Sequence, residues 1–214
     1  MADAFIRAQN ASPNHFARLV ASLAPPAERG VINEAAFLLF KRSISSGSPD
    51  YFSEEAVAEA IEKAMKKNER LPRSISANFE PMSTLAPYEC SSIAQNLYLH
   101  FRAEVAPVIV NPTFPGCGWV SDAEADILCG TTLYEVKAGD RQFRLSDLRQ
   151  LLTYCALNFS AKSHDIIDVS LINPRSGIII KDSLDKLCWR TAGTSAVSVM
   201  SEIVSFISEP ITEA

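Results

Sequence analysis

The chain has 214 residues, of which 47% are hydrophobic and 21% are charged, values that are typical of a globular protein. Its formal net charge of −5 gives no overall attraction to nucleic acid, so a nucleic-acid function requires basic residues that are concentrated locally. No apolar run approaches the roughly 18 residues that cross a bilayer, and the N-terminus lacks the layout of a secretory signal. We therefore expect a cytoplasmic protein that does not bind a membrane.

The first part of the chain has the pattern of several helices. One begins at His15 and ends before a Pro-Pro pair, a second begins at Asn33, and a third is capped by Ser53. The third helix ends in the basic run "KKNER", whose positive charge suits the helix dipole. The alternative interpretation is a patch that binds nucleic acid. We expect residues 1–80 to form an N-terminal helical extension that docks a protein partner or a second copy of the chain, or that recognises DNA ends.

The rest of the chain, residues 81–214, follows a loop-like segment from Arg73 to Pro87 and alternates helices with strands. The predicted elements are the helix "YECSSIAQNLYLHFRAE", the strand "APVIVNP", the hairpin "ADILCGTTLYEVKAG", the helix "DLRQLLTYCALNF" capped by Ser146, the strands "DIIDVSLI" and "IIIKDS" around "NPRSG", and the helix "SAVSVMSEIVSFISE". This alternation predicts an α/β domain with a mixed central β-sheet flanked by helices.

The predicted hairpin carries three charged residues in segments that otherwise suit a buried sheet. Side chains alternate along a strand, so Glu135 and Lys137 share a face. The tight turn brings the preceding strand back antiparallel, which places Asp126 beside Glu135. Two carboxylates and an ammonium are costly to bury without a purpose, and their most economical use is to hold a divalent cation. Carboxylate oxygens suit Mg²⁺ or Mn²⁺, and no nearby His or Cys indicates zinc.

The same three residues have a simpler interpretation. Asp126 and Glu135 could form ion pairs with Lys137 at a sheet edge, as happens often in proteins without catalytic activity. The hairpin alone leaves both interpretations open.

The order of an acid, a short hairpin and a Glu-x-Lys triplet resembles the motif of the PD-(D/E)xK nuclease superfamily. Asp126, Glu135 and Lys137 match its three positions, while Ala125 stands where the superfamily usually has proline. The resemblance covers roughly residues 88–180 and implies a restriction-endonuclease-like core with the element order αβββαβ. It also implies metal-dependent hydrolysis of phosphodiester bonds, in settings such as restriction, repair, phage defence or mobile elements.

Two neighbouring helices extend the resemblance. Gln150 and Tyr154 lie four residues apart on one helix face, in a QxxxY pattern similar to that of the RecB-like branch. Glu89 matches a glutamate that often completes the metal shell in this superfamily, and His100 is a weaker candidate on the same helix. The alternatives are a polar helix face for the QxxxY pair, a favoured acid at a helix start for Glu89, and a structural histidine for His100.

The resemblance assigns roles to these residues. It implies that Mg²⁺ or Mn²⁺ is held by Asp126, Glu135 and the backbone carbonyl of Val136, with Glu89 acting through water. Lys137 would position the attacking water, and the metal would stabilise charge that develops on the phosphate.

Other residues would support the substrate. Gln150 would hold Lys137 or a phosphate oxygen, and Tyr154 would support that helix face. The basic side chains Arg141, Arg144 and Arg149 follow the second hairpin strand, where they would grip a phosphate backbone or, alternatively, serve solubility. We expect DNA as the substrate in preference to RNA.

Two rival functions remain open at this stage. One is a catalytically inactive nuclease-fold subunit that binds nucleic acid or serves in assembly, which the acidic net charge favours. The other is an RNA-cleaving or toxin nuclease.

Overall fold

The computed structural model describes residues 1–69 and 82–209. The helices in this part of the chain are α1 Ala2–Ala11, α2 Arg29–Ser46, α3 Glu54–Glu69, α4 Ala86–Arg102, α5 Leu145–Ala161, α6 Leu184–Ala192 and α7 Ala196–Ser208. The strands are β1 Asn14–His15, β2 Val108–Val110, β3 Thr113–Phe114, β4 Ala123–Glu124, β5 Ile127–Cys129, β6 Thr132–Val136, β7 Asp168–Asn173 and β8 Ile178–Ser183. None of the described helices combines the length and apolar character that a membrane span needs.

Six of the strands form one mixed sheet in the order β1-β8-β7-β6-β5-β2. Neighbouring strands are antiparallel except for β6 and β7, which are parallel and are connected through α5. A parallel pair needs such a crossover, because a tight turn can only reverse the chain. The prediction of an α/β fold with a mixed central sheet flanked by helices is confirmed.

The two faces of the sheet bury separate hydrophobic clusters. Ile127 and Tyr134 pack with α2, α3 and α4 on one face, whereas Leu128 and Leu133 pack with α1, α5, α6 and α7 on the other. This division follows from the alternation of side chains along β5 and β6. The sheet is therefore covered by helices on both sides.

The N-terminal part of the chain is built into this core. Strand β1 pairs with β8 at the end of the sheet, and α2 packs against α4. The hydrophobic cluster on the α2 face runs without a break from side chains of α2 and α3 to side chains of α4, β5, β6 and β7. The division predicted near residue 80 thus marks no interruption of the hydrophobic core.

The helix predicted from His15 is wrong. His15 belongs to β1, and the chain then continues without helical structure to the short 3₁₀ turn at Pro26–Glu28. Its backbone donors bond to the β7–β8 connection instead: Phe16 N–H donates to Gly177 O at 2.8 Å and Val20 N–H donates to Arg175 O at 2.7 Å. The apolar spacing reflected packing, and tertiary hydrogen bonds replaced the helical ones.

The predictions for α2 and for the cap of α3 are confirmed, whereas the predicted cap of α5 is not. Helix α2 contains the segment that begins at Asn33, and Ser53 Oγ accepts the Ala56 N–H at 3.2 Å as the predicted cap of α3. The predicted cap at Ser146 is wrong, since α5 already begins at Leu145.

Two of the described helices were not predicted. These are α1 and α6, although Ser183 caps α6 by accepting the Lys186 N–H. Most of the predicted loop from Arg73 to Pro87, and the last residue of "KKNER", lie outside the described residues; α4 begins at Ala86.

Candidate active site

The hairpin of β5 and β6 places Asp126 and Glu135, here called the hairpin acids, side by side. Ile127 pairs with Tyr134, and the next pair in this antiparallel register is Asp126 with Glu135. The backbone N–H of Val136 donates to Asp126 Oδ2 at 2.7 Å, which fixes the carboxylate against the end of β6. The structure therefore brings the two acids to one place.

Glu135 lies in an interior strand of the sheet rather than at the sheet edge, and Lys137 directly follows that strand. Strand β6 runs between β5 and β7, and Glu135 is only 2% exposed. Lys137 Nζ donates to Glu135 Oε1 at 2.5 Å, and the lysine side chain is 21% exposed. An ion pair exists here, but the sheet-edge setting of the simpler interpretation does not apply.

The positive charge near the hairpin acids does not balance their two negative charges. Burial and then the charge of Asp126 raise the pKa of Glu135 to about 7, against the opposing effect of Lys137. Burial also raises the pKa of Asp126, which the Val136 N–H partly offsets. Glu135 Oε2 is buried and has no hydrogen-bond partner among the described residues. An unsatisfied buried acceptor costs about 1–3 kcal/mol, and more when it is charged.

Helix α5 supplies a hydrogen-bonded chain that ends at Lys137. Gln150 Oε1 accepts from Lys137 Nζ at 2.8 Å, and Gln150 Nε2 donates to the Tyr154 hydroxyl at 2.9 Å. The Tyr154 ring stacks on Phe114 with a centroid separation of 6.1 Å. An ammonium group has three N–H donors, and within the described chain Glu135 and Gln150 accept two of them. One donor of Lys137 therefore remains for a ligand.

The prediction that Glu89 completes a metal shell needs correction. Glu89 is fully buried: Oε1 accepts from the backbone N–H groups of Leu23 and Ala24, and Oε2 accepts from Arg175 Nη1 at 2.6 Å. Burial alone would raise the pKa of Glu89, but the hydrogen bonds from Ala24 and Arg175 outweigh it and lower the pKa. Within the described residues no contact links Glu89 to the hairpin acids, so its carboxylate serves as an anchor for the fold.

His100 also lies away from the hairpin acids. Its ring contacts Phe16, Phe101 and Tyr134, and Tyr134 projects from the face of β6 opposite to Glu135. Burial lowers the pKa of His100. These contacts make it a packing residue of the α4 layer.

The three predicted phosphate-binding arginines differ from one another. Arg141 donates to both oxygens of Asp147 at 2.7 Å, so its guanidinium is already paired. Asp147 also accepts the Arg144 N–H at 2.8 Å, which explains why α5 begins two residues earlier than a Ser146 cap would allow. The side chains of Arg144 and Arg149 are exposed.

A cleft of about 380 Å³ opens beside the hairpin acids and is called the site cleft here. One wall comes from the sheet and the segment after β6, and it consists of Asp126, Val136, Lys137, Ala138, Gly139 and Arg141. The other wall comes from α2 and consists of Gly30, Asn33, Glu34 and Phe37. Sequence reasoning missed this second wall, because the hydrophobic spacing of α2 carries no sign of where the helix docks.

The donors in this site suit magnesium better than zinc. In the described parts of the chain, no three His, Cys, Asp or Glu side chains come together in a way that could hold a metal ion. Mg²⁺ does not require such a group, since it is usually bound through one or two carboxylates, waters and substrate phosphates. The orphaned Glu135 Oε2 beside Asp126 fits an ion of this kind.

Comparisons of the chain with protein-family models, curated proteins and solved structures found no match. The resemblance to the nuclease superfamily therefore rests on the residues and the geometry described above.

Proposed function

We propose that this protein is a metal-dependent nuclease that hydrolyses phosphodiester bonds, with DNA favoured over RNA. The observation that carries the proposal is the buried Glu135 carboxylate, which has an orphaned oxygen and lies beside Asp126 and Lys137, two residues that line an open cleft. Burying a carboxylate without a full set of partners costs free energy, and such an arrangement is expected where a bound cation and a substrate supply the missing partners.

The order of elements around the site supports the same proposal. Around the six-stranded sheet, α4 is followed by three antiparallel strands (β2, β5, β6), a crossover helix (α5) and a parallel strand (β7), and the separate pair β3–β4 is inserted between β2 and β5. This order agrees with the αβββαβ core that the resemblance implies.

Each residue has a defined task in this scheme. Asp126, Glu135 and the backbone carbonyl of Val136 would hold Mg²⁺ or Mn²⁺. A bound ion would supply Lewis-acid stabilisation of the negative charge that develops on the phosphate. The remaining N–H donor of Lys137 would hold the attacking water or a phosphate oxygen, while Gln150 fixes the direction of the ammonium group.

The reaction is a simple displacement on phosphorus. The water oxygen forms a new bond to phosphorus, one P–O ester bond breaks, and the water gives up a proton while the leaving oxygen gains one. The products are one end with a phosphate and one with a hydroxyl. The exposed Arg144 and Arg149 would bind the phosphates that flank the cleavage point.

The catalytically inactive subunit remains the rival function. The net charge of −5 and the pairing of Arg141 with Asp147 both reduce attraction to nucleic acid and so favour this rival. The two functions differ in whether the orphaned oxygen of Glu135 receives a metal ion.

A cleavage assay separates these functions. The full chain is incubated with single-stranded DNA, duplex DNA and RNA in Mg²⁺ or Mn²⁺, with and without EDTA. We expect metal-dependent cleavage that is strongest on DNA, and we expect Lys137→Ala to lower the rate by about 10²–10⁴-fold, the range for loss of a positioned proton-handling group.

Lys186→Ala is the matched control, because Lys186 is an exposed lysine far along the chain from the hairpin. Circular dichroism establishes that both variants are folded. A wild-type chain that cuts none of the substrates, or a Lys137→Ala variant with undiminished activity, contradicts the proposal.

A further inference from the structure

Helix α2 brings a third acid to the site. Glu34 lines the site cleft together with Asp126, and these two are the only carboxylates among the described residues that line it. The sequence gives no sign that Glu34 and Asp126 line one cleft, since they are 92 positions apart in the chain. Glu34 therefore faces Asp126 across the cleft, and the other hairpin acid, Glu135, has an oxygen without a hydrogen-bond partner in the described chain.

The position of α2 beside the cleft is fixed by contacts on both sides of Glu34. Near its start, the guanidinium of Arg29 pairs with Asp140. Near its end, Lys41 Nζ donates to Asn111 Oδ1 at 2.8 Å, and the Asn111 N–H donates to the Asp126 carbonyl at 2.9 Å. The α2 wall is therefore linked through Asn111 to the backbone that carries Asp126.

A buried arginine holds the same wall from inside. Arg175, which is 1% exposed, donates to Asn33 Oδ1 at 3.1 Å and to the Ala138 carbonyl at 2.9 Å. Asn33 precedes Glu34 in α2, and Ala138 follows Lys137 in the opposite wall. This network sets the separation of the two walls of the site cleft.

The partner that Glu34 has in the structure holds it weakly. Glu34 Oε1 accepts from Lys67 Nζ at 2.7 Å, with the two side chains 29% and 68% exposed. An exposed pair of this kind contributes about 0–1 kcal/mol and gives way easily to a stronger partner. Burial is the main cause of the raised pKa of Asp126, and the negative charges of Glu34 and Glu124 raise it further. Asp126 and Glu34 line the cleft together with the cations Lys137 and Arg141, but Arg141 is already paired with Asp147.

We propose that Glu34 is the third acid of the metal site and acts on the bound ion through the ion's water shell. The inference rests on the proposed function, and the orphaned, buried oxygen of Glu135 is the independent sign of a missing cation. Glu34 would take the role that the superfamily resemblance assigned to Glu89, whose oxygens are committed to the fold. Helix α2 would then be part of the active site.

Direct Mn²⁺ binding tests this inference without reference to activity. The full chain is titrated with Mn²⁺ at pH 8, and free Mn²⁺ is measured by electron paramagnetic resonance. We expect Glu34→Gln to weaken Mn²⁺ binding by about 10-fold or more, the effect typical of losing an outer partner of a metal site. Asp126→Asn should weaken it further.

Two control variants separate a role in the site from simpler effects. Glu124→Gln removes another exposed acid that acts on Asp126 but bonds to Asn111 and does not line the site cleft. Lys67→Gln removes the ion-pair partner of Glu34 and leaves the acid in place. Both should bind Mn²⁺ about as tightly as the wild-type chain.

The outcomes are distinct. If Glu34→Gln and Glu124→Gln weaken Mn²⁺ binding equally, the inference is overturned, because only the overall negative charge near Asp126 would matter. If Lys67→Gln weakens Mn²⁺ binding as much as Glu34→Gln does, the inference is also overturned. Wild-type binding of Mn²⁺ with no effect of Glu34→Gln overturns the inference and leaves the proposed function standing. A wild-type chain that binds no Mn²⁺ removes the proposed function itself.

Discussion

Two buried glutamates with cationic partners have opposite environments in this molecule. Glu89 is fully buried, and both of its oxygens receive hydrogen bonds, from two backbone N–H groups and from Arg175. Glu135 is 2% exposed, receives one hydrogen bond from Lys137, faces Asp126, and leaves its second oxygen without a partner in the described chain. The pKa is lowered in the first case and raised to about 7 in the second.

This difference provides a criterion for deciding whether a buried charged side chain has a structural or a functional role. A buried ion pair whose hydrogen bonds are all made holds parts of the fold together. A buried carboxylate that lacks a partner and sits beside another acid stores a cost that a ligand can relieve. By this criterion Glu89 is an anchor and Glu135 is a candidate ligand.

The largest expected effect on stability lies at the anchor. Arg175→Met would leave Glu89 buried without its cation, and it would also remove the bonds to Asn33 and Ala138. We expect the free energy of unfolding to fall by about 3–5 kcal/mol, as measured by urea denaturation.

Arg42→Met is the control for this experiment, since Arg42 pairs with Asp50 and Glu59 on the surface and should cost at most about 1 kcal/mol. Equal losses in the two variants would mean that the pair of Glu89 and Arg175 contributes no more than a surface contact.

The next effect concerns pH dependence at the candidate ligand. Because the pKa of Glu135 is raised from 4.5 to about 7, the folded chain binds a proton more tightly than the unfolded chain, and stability from this group falls as pH rises from 4.5 through 7. Glu135→Gln removes this loss. In EDTA at pH 8 we expect Glu135→Gln to be more stable than the wild type by on the order of 1–3 kcal/mol, and at pH 4 the advantage should vanish.

Glu89→Gln should behave in the opposite way. The lowered pKa of Glu89 gives stability that is present above its unfolded value and is lost as pH falls through the folded value. Glu89→Gln should therefore be most destabilised near neutral pH, with the difference shrinking in acid. Parallel pH profiles for the Glu135 and Glu89 variants in urea denaturation would contradict the contrast between the two sites.

The smallest expected effect lies at the far end of the α5 chain. Tyr154→Phe removes only the hydroxyl that accepts from Gln150, a hydrogen bond worth about 1 kcal/mol. In the proposed nuclease Tyr154 would act through Gln150 as a positioning residue, so we expect a several-fold lower kcat with an unchanged affinity for Mn²⁺. Thr153→Ala, which changes a half-buried side chain of the same helix whose hydroxyl donates to the Arg149 carbonyl, should leave kcat unaltered. An unchanged kcat in Tyr154→Phe would refute the positioning role.

The sequence predicted those parts of the site that depend on local geometry. Side-chain alternation and a tight turn were enough to place Asp126 beside Glu135, and helical spacing was enough to align Gln150 with Tyr154. These arrangements arise within a hairpin or a single turn of helix, where residue spacing determines the geometry.

The sequence did not predict contacts between distant segments. Arg175 lies 86 residues from Glu89 and 142 residues from Asn33, and no local pattern links these positions. The same limit explains the false helix from His15, whose backbone groups bond to the β7–β8 connection, and the unrecognised place of Glu34 in the site cleft. Tertiary hydrogen bonds decided each of these cases.

The most direct test of the central claim is to locate a bound ion. Crystals of the full chain are soaked in Mn²⁺ at pH 8, and the anomalous scattering of manganese is mapped. We predict a peak in contact with the carboxylates of Asp126 and Glu135 and close to the Val136 carbonyl. A map without a peak at the hairpin acids, or with manganese bound only elsewhere, would contradict the central claim.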